Sequence, residues 1–394
     1  MSDCRHIAVI GGGPAGAFAA AELAAGGCAV TLLDERLAWE KPCGGGLTPK
    51  TLARYPFLAQ NGRPKKIVRK AVLRAANGST VQLAFPDPFL IYSRYELNSL
   101  MLERAAHAGC ELVRDHVTGI ERTAAGWRLR GRNRAYAADF LVIAAGAQAA
   151  FAELAGPRQP GDLGCAVGYY LPRTQDHLEV HFLKDLQGYF WMFPRTDHLS
   201  VGMYGKQNGK PVSRVKERLD RYMDERGLSR AGGVFYGHLL PSFSLASMRA
   251  QPLAGVGWAA VGDAAGLCDP ITGEGIYYAL RSAEELAACC LERRPAAYPL
   301  RLRAACGHEL EMAARLASRF YGGRFMGGLI CTRMIQFARH SRTFHRLVLD
   351  LFAGRQGYRG LKQRVFSTLG QGLREIAWNV LRGSPEQFTM NEHG

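Results

Sequence analysis

The chain lacks long hydrophobic runs. No stretch reaches the roughly eighteen consecutive apolar residues that a membrane-spanning helix needs. The first residues predict a strand instead of a charged segment followed by an apolar one. We therefore expect neither a transmembrane helix nor a signal peptide, and the expected location is cytoplasmic. Peripheral attachment to the inner face of a membrane stays open at this point.

Paired metal-binding cysteines and acidic residues are also scarce. The ten cysteines of the 394-residue chain include no Cys-x-x-Cys pair, which argues against a zinc ribbon and a secreted disulfide framework, so no metal site is expected. Acidic residues number 34 against 50 Lys and Arg, which gives a formal net charge of +16. No recognised nucleic-acid-binding motif accompanies this charge, so nucleic acid is not an expected partner.

The positive charge is concentrated towards the C-terminus. Between residues 314 and 374 the chain carries twelve Lys or Arg and one acidic residue, Asp350. Apolar residues recur between these charges at spacings typical of amphipathic helices. Such helices suit an anionic membrane surface or an anionic ligand. Alternatively, they form a layer that packs its apolar face on the main fold and leaves its arginines in water.

The N-terminal segment contains the strongest motif. Apolar residues 7–10 predict a strand that runs into a Gly-x-Gly-x-x-Gly turn, and an alanine-rich helix follows. The first glycine permits a tight turn, the second lets a pyrophosphate approach the backbone, and the third lets the helix lie close to the strand. Free amides at the helix start favour negative charge. The predicted dinucleotide-binding residues of this turn are Gly11, Gly13, Pro14, Ala15 and Gly16.

A second predicted strand is followed by two acidic residues. Asp34 lies eighteen residues after Gly16, where a carboxylate accepts hydrogen bonds from an adenosine ribose. Glu35 is the next residue and is included in the predicted site. The alternative is a structural glycine turn with surface acids, which the complete strand–helix–strand pattern disfavours.

The remaining pattern predicts a discontinuous first domain. A buried parallel strand at 139–146 and a later strand near 257–266 return to the first sheet, whereas the strands between 164 and 205 have no intervening helices. The predicted domains are a nucleotide-binding domain at 1–55, 90–160 and 250–295, a substrate-binding domain at 56–89 and 161–249, and a basic C-terminal helical region at 296–394.

Three sequence elements together resemble the FAD-binding fold of the para-hydroxybenzoate hydroxylase superfamily. They are the Gly11–Gly16 turn, Arg94 ahead of a helix, and Gly262-Asp263 followed by residues 270–275. Within that superfamily the chain is similar to the geranylgeranyl reductase family. This narrower resemblance rests on Lys41-Pro42-Cys43-Gly44-Gly45-Gly46-Leu47, on Tyr189-Phe190-Trp191-Met192-Phe193-Pro194 and on residues 272–280, and it covers most of residues 5–290.

The resemblance implies an α/β fold, α+β overall. A Rossmann-like FAD-binding domain would carry an inserted antiparallel-sheet substrate domain and a C-terminal helical region. Asp263 at a strand end suits hydrogen bonds from the ribityl chain, and the amides of 273–276 at a helix start suit negative charge on the reduced ring. Arg94 is expected near the pyrophosphate or a ribose, although a surface arginine fits nearly as well. The further cofactor residues are Lys41, Gly44, Arg94, Gly262, Asp263, Pro270, Gly273, Gly275 and Ile276.

An aromatic strand and a cysteine-containing loop are the predicted catalytic elements. Tyr189, Trp191 and Phe193 share one strand face by the two-residue period. The resemblance sets this face beside an isoprenoid site, whereas without it an ordinary core face is the more common meaning. Cys43 borders the flavin and the substrate in this interpretation, and is an inert buried thiol in the alternative. The predicted catalytic residues are Cys43, Tyr189 and Trp191.

The electron donor is not defined by the sequence. Many superfamily members have Asp-Gly after the buried strand, where this chain has Ala145-Gly146. No second Gly-x-Gly-x-x-Gly follows a strand, so a separate NADPH domain is not expected. The two candidates are NAD(P)H that binds transiently at the flavin and reduced ferredoxin that docks on a basic surface.

Together these features indicate an FAD-dependent reductase of C=C bonds. The expected substrate is a polyprenyl (geranylgeranyl-type) chain carried by a diphosphate, lipid, quinone or tetrapyrrole. An FAD-dependent monooxygenase or flavin halogenase is the first alternative. The halogenase motif Trp-x-Trp-x-Ile-Pro is replaced here by Tyr189-x-Trp191-x-Phe193-Pro194, which argues against a halogenase. A non-catalytic FAD-binding membrane or partner module is the second alternative, and nothing in the sequence indicates an oligomeric state.

Overall fold

The computed structural model describes residues 6–148, 151–157, 159–206 and 212–381. Cys4 and the end of the predicted C-terminal region, 382–394, lie outside the described residues. The chain divides into two compact units. The first consists of Met1–Lys41, Ser93–Gly164 and Leu239–Ala314, and the second of Pro42–Tyr92, Cys165–His238 and Arg315–Gly394.

Strands predominate up to residue 260 and helices after it. The strands are β1 (His6–Ile10), β2 (Ala29–Asp34), β3 (Gly46–Leu47), β4 (Lys66–Arg74), β5 (Thr80–Ile91), β6 (Glu111–Arg114), β7 (Val117–Thr123), β8 (Gly126–Gly131), β9 (Ala135–Ala138), β10 (Phe140–Ile143), β11 (Leu163–Leu171), β12 (Leu178–Phe182), β13 (Gly188–Pro194), β14 (Leu199–Lys206), β15 (Val234–Pro241), β16 (Ala254–Gly255), β17 (Trp258–Ala260), β18 (Arg324–Phe325) and β19 (Gly328–Leu329). The α-helices are α1 (Pro14–Ala25), α2 (Pro49–Arg54), α3 (Arg94–His107), α4 (Ala152–Ala155), α5 (Val212–Glu225), α6 (Leu245–Ala250), α7 (Ile276–Leu291), α8 (Tyr298–Leu302), α9 (His308–Gly322), α10 (Ile330–His340), α11 (Arg342–Phe352) and α12 (Leu361–Leu381).

The first unit is built on a sheet with the strand order β16-β17-β10-β1-β2-β6. Strands β17, β10, β1, β2 and β6 run parallel, and β16 joins β17 in the antiparallel direction. Val9 in the central strand lies opposite Val142 of β10 and Leu32 of β2. All three side chains are buried, as is usual in parallel sheets. This sheet confirms the predicted Rossmann-like α/β fold.

Helix α1 packs against α3 and α7 in the same unit. Its buried stretch contains Ala17, Ala19, Ala20 and Ala21, none more than 1% exposed. Small side chains allow neighbouring helices to approach closely, and they explain why the alanine-rich sequence forms a buried helix instead of an amphipathic one. Strands β7, β8 and β9 form a separate three-stranded antiparallel sheet.

The second unit contains the larger sheet, with the order β15-β11-β14-β13-β12-β4-β5-β3. The β4–β5 hairpin turns at Asn77-Gly78, a dipeptide typical of tight hairpin turns, and Gly78 adopts a φ of +87°. Strands β12, β13 and β14 pair antiparallel, but β12 and β4 run parallel, with Leu178 opposite Ala71. The sequence does not predict this parallel junction, nor strand β15.

One face of β4, β5 and β12 is covered by helices α10 and α11. The buried cluster joins Leu73, Leu83 and Val180 of the strands to Ile335 of α10 and Val348 of α11. The amphipathic helices of the basic region thus bury an apolar face on the sheet. None of the helices in the described ranges combines the length and apolar character needed to cross a bilayer.

A polar network is buried on β12 beside α5. His181 is 1% exposed, with Nε2 at 2.7 Å from Glu179 Oε2 and Nδ1 at 2.8 Å from the Tyr222 hydroxyl. A neutral imidazole satisfies both contacts, because Nε2–H donates to Glu179 and Nδ1 accepts from Tyr222. Burial lowers the pKa of His181, and the hydrogen bond with His181 lowers the pKa of Glu179.

We expect the free energy of unfolding to fall as the pH drops below about 6.5. Above that pH the folded and unfolded forms of His181 are both neutral, whereas below it the unfolded chain takes up a proton that the folded chain resists. This single group costs up to about 1.4 kcal/mol per pH unit. Glu179 also lowers the free energy of unfolding at acidic pH, because its ionised carboxylate is stabilised in the folded chain and this stabilisation is lost as the carboxylate becomes protonated. Urea denaturation as a function of pH measures the slope.

A His181→Gln variant should have a smaller slope of unfolding free energy against pH between about 5 and 6.5. His107→Gln, at the exposed C-terminal end of α3, is the matched control and should keep the wild-type slope. Identical slopes in the wild type and His181→Gln would contradict this assignment.

Candidate cofactor and substrate site

The glycine turn of the first unit has the geometry that its motif predicts. Gly11 adopts a φ of +110°, and a Cβ there would lie 2.4 Å from the Ala144 carbonyl oxygen. A Cβ on Gly16 would lie 1.9 Å from the carbonyl oxygen of Gly11. At Gly13, by contrast, no described atom comes within 4 Å of the Cβ position. The turn therefore excludes side chains at two positions and leaves open space at the third.

The carboxylate of Asp34 holds this turn through backbone amides. Oδ2 accepts a 2.6 Å hydrogen bond from Gly12 N–H, and Oδ1 accepts from Arg36 and Leu37 N–H at 2.8 and 2.7 Å. Oδ2 can accept a further bond, and the ribose contact stays a prediction. Glu35 is half exposed, forms an ion pair with Arg132 at 3.5 Å and lies 3.4 Å from His116 Nδ1.

Arg94 is a buried cation of the first unit. It begins α3 and is 4% exposed, with NH2 at 3.3 Å from Asn98 Oδ1. Within the described part of the chain its Nε–H has no acceptor, and no carboxylate lies within ion-pair distance. Glu40 accepts from the Arg94 and Tyr95 amides at 3.0 Å and so fixes the start of the helix. A buried guanidinium in this state suits an anionic ligand.

Asp263 and its neighbours form a second part of the same unit's site. The Asp263 carboxylate lies 3.5 Å from Lys41 Nζ and remains partly exposed. Gly262 adopts a φ of +59°, and a Cβ there would lie 2.8 Å from the Cβ of Ala15 and 3.4 Å from that of Ala279. This close packing brings the beginnings of α1 and α7 together. Only a glycine allows it.

The loop before α7 is organised by Asp269, which the sequence analysis missed. Its buried carboxylate accepts from the Ile271 and Thr272 amides at 2.8 and 3.3 Å. Asp269-Pro270 is a turn-initiating dipeptide, so a local signal was present. Pro270 is buried, Gly273 adopts a φ of +70°, Gly275 caps the helix through its backbone, and Ile276 is the first residue of α7.

These residues fit an FAD molecule. The first turns of α1 and α7 contain no acidic residue, so no side chain within these turns opposes an anion at the positive end of either helix dipole. The orphaned Nε of Arg94 and the open space at Gly13 suit the pyrophosphate. Asp34 and Asp263 retain acceptor capacity for hydroxyl groups. The individual contacts of each residue with the cofactor stay predictions.

In the second unit, the Cys43–Gly46 loop is held by a buried arginine that the sequence analysis did not identify. Arg195 is 1% exposed and donates from NH2 to the Cys43 carbonyl at 2.8 Å. Its guanidinium also lies 5.8 Å from the centre of the Tyr170 ring. The Cys43 thiol accepts from Gly45 N–H at 3.3 Å. A charged residue directly after the apolar strand β13 was the available signal.

The glycines of this loop lie against the aromatic strand. A Cβ on Gly44 would lie 2.6 Å from the Phe193 ring, and one on Gly45, whose φ is +78°, would lie 2.1 Å from the Tyr92 carbonyl oxygen. Gly44, predicted as a cofactor residue, thus makes room for an aromatic ring. The loop and β13 form one continuous surface within the second unit.

The aromatic residues of β13 differ in their surroundings. Tyr189 and Phe193 are half-buried and pack against the cluster beneath α10 and α11. Trp191 is 4% exposed, and its Nε1–H donates to Ser200 Oγ at 3.3 Å, which in turn lies 2.8 Å from the Tyr236 hydroxyl. Tyr189 and Phe193 therefore present partly open apolar surface, whereas Trp191 supports the strand from within the core.

Comparison with known proteins supports this architecture. Residues 5–177 match the family of pyridine nucleotide-disulphide oxidoreductases. The chain is 28% identical over 357 residues to the menaquinone reductase of Mycobacterium tuberculosis, covering 83% of this chain and 86% of that one. It is 26% identical over 311 residues to the geranylgeranyl diphosphate reductase of Synechocystis sp., covering 71% and 73%.

The fold is shared with a solved structure. A geranylgeranyl bacteriochlorophyll reductase-like protein from Thermoplasma acidophilum superimposes with a TM-score of 0.76 at 19% identity, covering 94% of this chain and 98% of the other. The fold, the candidate FAD site at the starts of α1 and α7, and the family match together define an FAD-dependent oxidoreductase. The sequence relatives also confirm the resemblance to the geranylgeranyl reductase family that the motifs indicated.

We expect Arg94→Met to weaken FAD binding roughly ten- to hundred-fold, because a charge-assisted hydrogen bond contributes about 1.5–3 kcal/mol. Methionine fills a similar volume but donates no hydrogen bond. Titration of the apoprotein with FAD, followed by flavin fluorescence, measures the dissociation constant. Arg104→Met, on the same helix at an ion pair with Glu22, is the control and should bind FAD normally. Equal affinity in the two variants would remove Arg94 from the cofactor site.

Proposed function

We propose that this oxidoreductase saturates C=C bonds of a polyprenyl chain. The observation that carries the proposal is the partly open apolar surface of Tyr189 and Phe193, which continues into the Gly44–Gly46 loop. Long, unactivated alkenes offer no polar group near the reacting bond, so an enzyme must position them through apolar contacts. An aromatic strand face that packs against a glycine loop provides such contacts.

The reaction adds one hydride and one proton across the double bond. A bound, reduced FAD supplies the hydride. For the proton we propose the thiol of Cys43, whose sulfur is oriented by the Gly45 amide and whose carbonyl is fixed by Arg195. The thiolate left behind regains a proton from water, which closes the cycle without net change in the cysteine. Tyr189 and a water molecule are the alternative proton donors.

Two electrons must enter for each double bond that is reduced. We propose NAD(P)H or a reduced ferredoxin as their source. Ala145-Gly146 offers no carboxylate at the position where many superfamily members have Asp-Gly, which favours a donor that binds transiently. Dithionite replaces either donor in an experiment, so the alkene chemistry can be tested independently of this choice.

We further propose that the second unit contacts an anionic membrane surface. The β18–β19 hairpin exposes Phe325 and Met326, at 43% and 58%, beside Arg324. Helix α12 likewise exposes Phe366 and Trp378. Apolar side chains flanked by arginines are typical of segments that insert shallowly between lipid head groups. This role uses side chains other than those that α10 and α11 bury on the sheet.

Dithionite-reduced protein, incubated anaerobically with a panel of polyprenyl diphosphates, alcohols, phospholipids and quinones, should yield products heavier by two hydrogens per reduced bond. Mass spectrometry of the panel gives the substrate class. Product that appears only after oxygen is admitted would support a monooxygenase instead, and no product under either condition would support the non-catalytic module.

Within that assay Cys43→Ala should slow alkene reduction roughly hundred-fold, because general acid catalysis contributes about 10²–10⁴. Its bound flavin should keep the wild-type absorption spectrum. Cys28→Ala, at a half-buried cysteine of the first unit, is the matched control and should react normally. Normal turnover by Cys43→Ala would assign the proton to Tyr189 or to water.

Vesicles that contain anionic lipid should sediment the wild-type protein, and Phe325→Asp/Met326→Asp should leave most of it in the supernatant, because two carboxylates oppose insertion into an anionic surface. Val256→Asp, at a residue 81% exposed in the first unit, controls for a surface charge elsewhere. Equal recovery of the wild type with neutral and anionic vesicles would contradict the membrane role.

A further inference from the structure

A cavity of about 1030 Å³ lies in the second unit, and its lining contains none of the residues proposed for FAD or for alkene reduction. Helix α5 and the turn between β12 and β13 form much of the lining. Tyr321, Gly322 and Leu329, from the end of α9 to β19, complete it. We call this space the α5 cavity. It lies next to the β18–β19 hairpin, for which a membrane contact is proposed above.

The α5 cavity is separate from the apolar surface proposed for the alkene. Tyr222 of α5 lines the cavity and packs on Phe190 of β13, with ring centres 4.9 Å apart. Successive side chains of a strand point to opposite faces, so Phe190 faces away from Tyr189 and Phe193. A ligand in the α5 cavity is therefore not the chain that is reduced.

The described lining of the α5 cavity contains more cations than acids. Arg214, Arg218 and Arg221 are four and then three residues apart, so they lie on one face of α5. The charged lining residues are the five cations Lys184, Lys206, Arg214, Arg218 and Arg221 and the three acids Asp185, Glu217 and Glu225. This excess of positive charge favours an anionic ligand.

Arg218 fixes the turn between β12 and β13. Its guanidinium donates to the backbone carbonyls of Lys184 and Asp185. Asp185 adopts a φ of +58°, which a residue other than glycine seldom takes without support. Burial lowers the pKa of Arg218, the Asp185 carboxylate raises it, and the Arg221 cation lowers it again. An anion bound beside Arg218 and Arg221 would reduce the repulsion between these two cations.

Three cations of the cavity are available to a ligand. The side chains of Lys184, Arg214 and Arg221 are exposed, and within the ranges that the structure describes they form no hydrogen bond or ion pair, not even with Glu217 or Glu225. Guanidinium and ammonium groups that border one cavity suit the non-bridging oxygens of a phosphate group.

The base of the β18–β19 hairpin forms part of the same lining. Leu329 lines the cavity and pairs with Arg324. Met326 at the tip is three residues from Leu329, and three residues of chain span at most about 11 Å. Amphipathic segments bury their apolar side chains about 5–10 Å into a membrane interface. Insertion of Phe325 and Met326 to such a depth brings the cavity within reach of lipid phosphate groups.

We propose that the α5 cavity binds the phosphate of an anionic membrane phospholipid while the hairpin tip inserts between neighbouring lipids. Lys184, Arg214 and Arg221 contact the phosphate oxygens. This inference rests on the proposed membrane contact and deepens it, because it names the lipid class and the residues that bind it. The bound phospholipid is a membrane partner and not the substrate.

Vesicle sedimentation of the FAD-bound protein tests the site. The wild type should sediment with vesicles that contain phosphatidylglycerol and stay largely in the supernatant with pure phosphatidylcholine. Arg214→Gln/Arg221→Gln should lower the partition coefficient roughly thirty-fold, because each cation at an anionic surface contributes about five-fold. Both positions are exposed, so the melting temperature should stay unchanged.

Arg173→Gln/Arg226→Gln is the matched control, because it removes the same net charge. Both residues are exposed in the second unit and lie outside the cavity lining. This variant should sediment nearly as well as the wild type. Equal losses in the two double variants would show that net charge alone decides binding and would overturn the site. A cavity variant that sediments like the wild type would overturn it as well.

Inorganic phosphate separates a lipid from a free ion as the ligand. Added at the concentration of the lipid phosphate, it should leave sedimentation of the wild type unchanged, because a free ion lacks the contribution of the inserted hairpin. Displacement of the protein from the vesicles at that concentration would identify free phosphate as the ligand and overturn the assignment to a lipid.

Titration with monomeric dihexanoyl-phosphatidylglycerol separates the site from the membrane contact. Phe325→Asp/Met326→Asp should bind this short lipid like the wild type, whereas the cavity variant should not. Such binding by a wild type that fails to sediment with vesicles would remove the membrane contact and retain the site. Equal sedimentation of the wild type and the cavity variant would retain the membrane contact and remove the site. Neither readout depends on alkene reduction.

Discussion

The first unit depends on the close approach of helix α1 to strand β1 at Gly16 and Gly11. A side chain at Gly16 would collide with the Gly11 carbonyl, so the helix begins directly at the strand end and leaves its first amides beside the open space at Gly13. The buried alanines behind this point allow α3 and α7 to pack on α1. Gly262 packs against Ala15 in the same way, because a side chain there would collide with it. This contact brings the start of α7 next to the start of α1.

In the second unit a single buried charge has a comparable role. Burying a guanidinium is unfavourable unless its N–H groups find acceptors. Arg195 donates one of these N–H groups to the Cys43 carbonyl. The arginine directly follows β13, so the loop and the aromatic strand are held in one fixed relation. A glycine loop without such an anchor would have too much conformational freedom to present a thiol at a defined position.

Local sequence patterns predicted individual strands, turns and helix starts, whereas the pairing of distant strands depends on long-range contacts that no local pattern shows. Residues 7–16 form the predicted strand, glycine turn and helix start, and Asn77-Gly78 has the chemistry of a tight hairpin turn. The parallel pairing of β12 with β4 joins segments about a hundred residues apart, for which no local pattern exists. The hydrogen bond from the Gly12 amide to Asp34 was also not predictable, because the motif specifies a carboxylate at this position but not the groups that donate to it.

The cover that α10 and α11 provide for β4 and β5 has a consequence during synthesis. About 240 residues separate the end of β5 from the start of α10. A ribosome that adds about 5–20 residues per second therefore completes the apolar face of the hairpin roughly 10–50 s before its cover exists. Throughout that interval the nascent chain carries an uncovered sheet surface. The folding of this unit thus depends on the end of the chain, and truncation before α10 would leave an aggregation-prone edge and face.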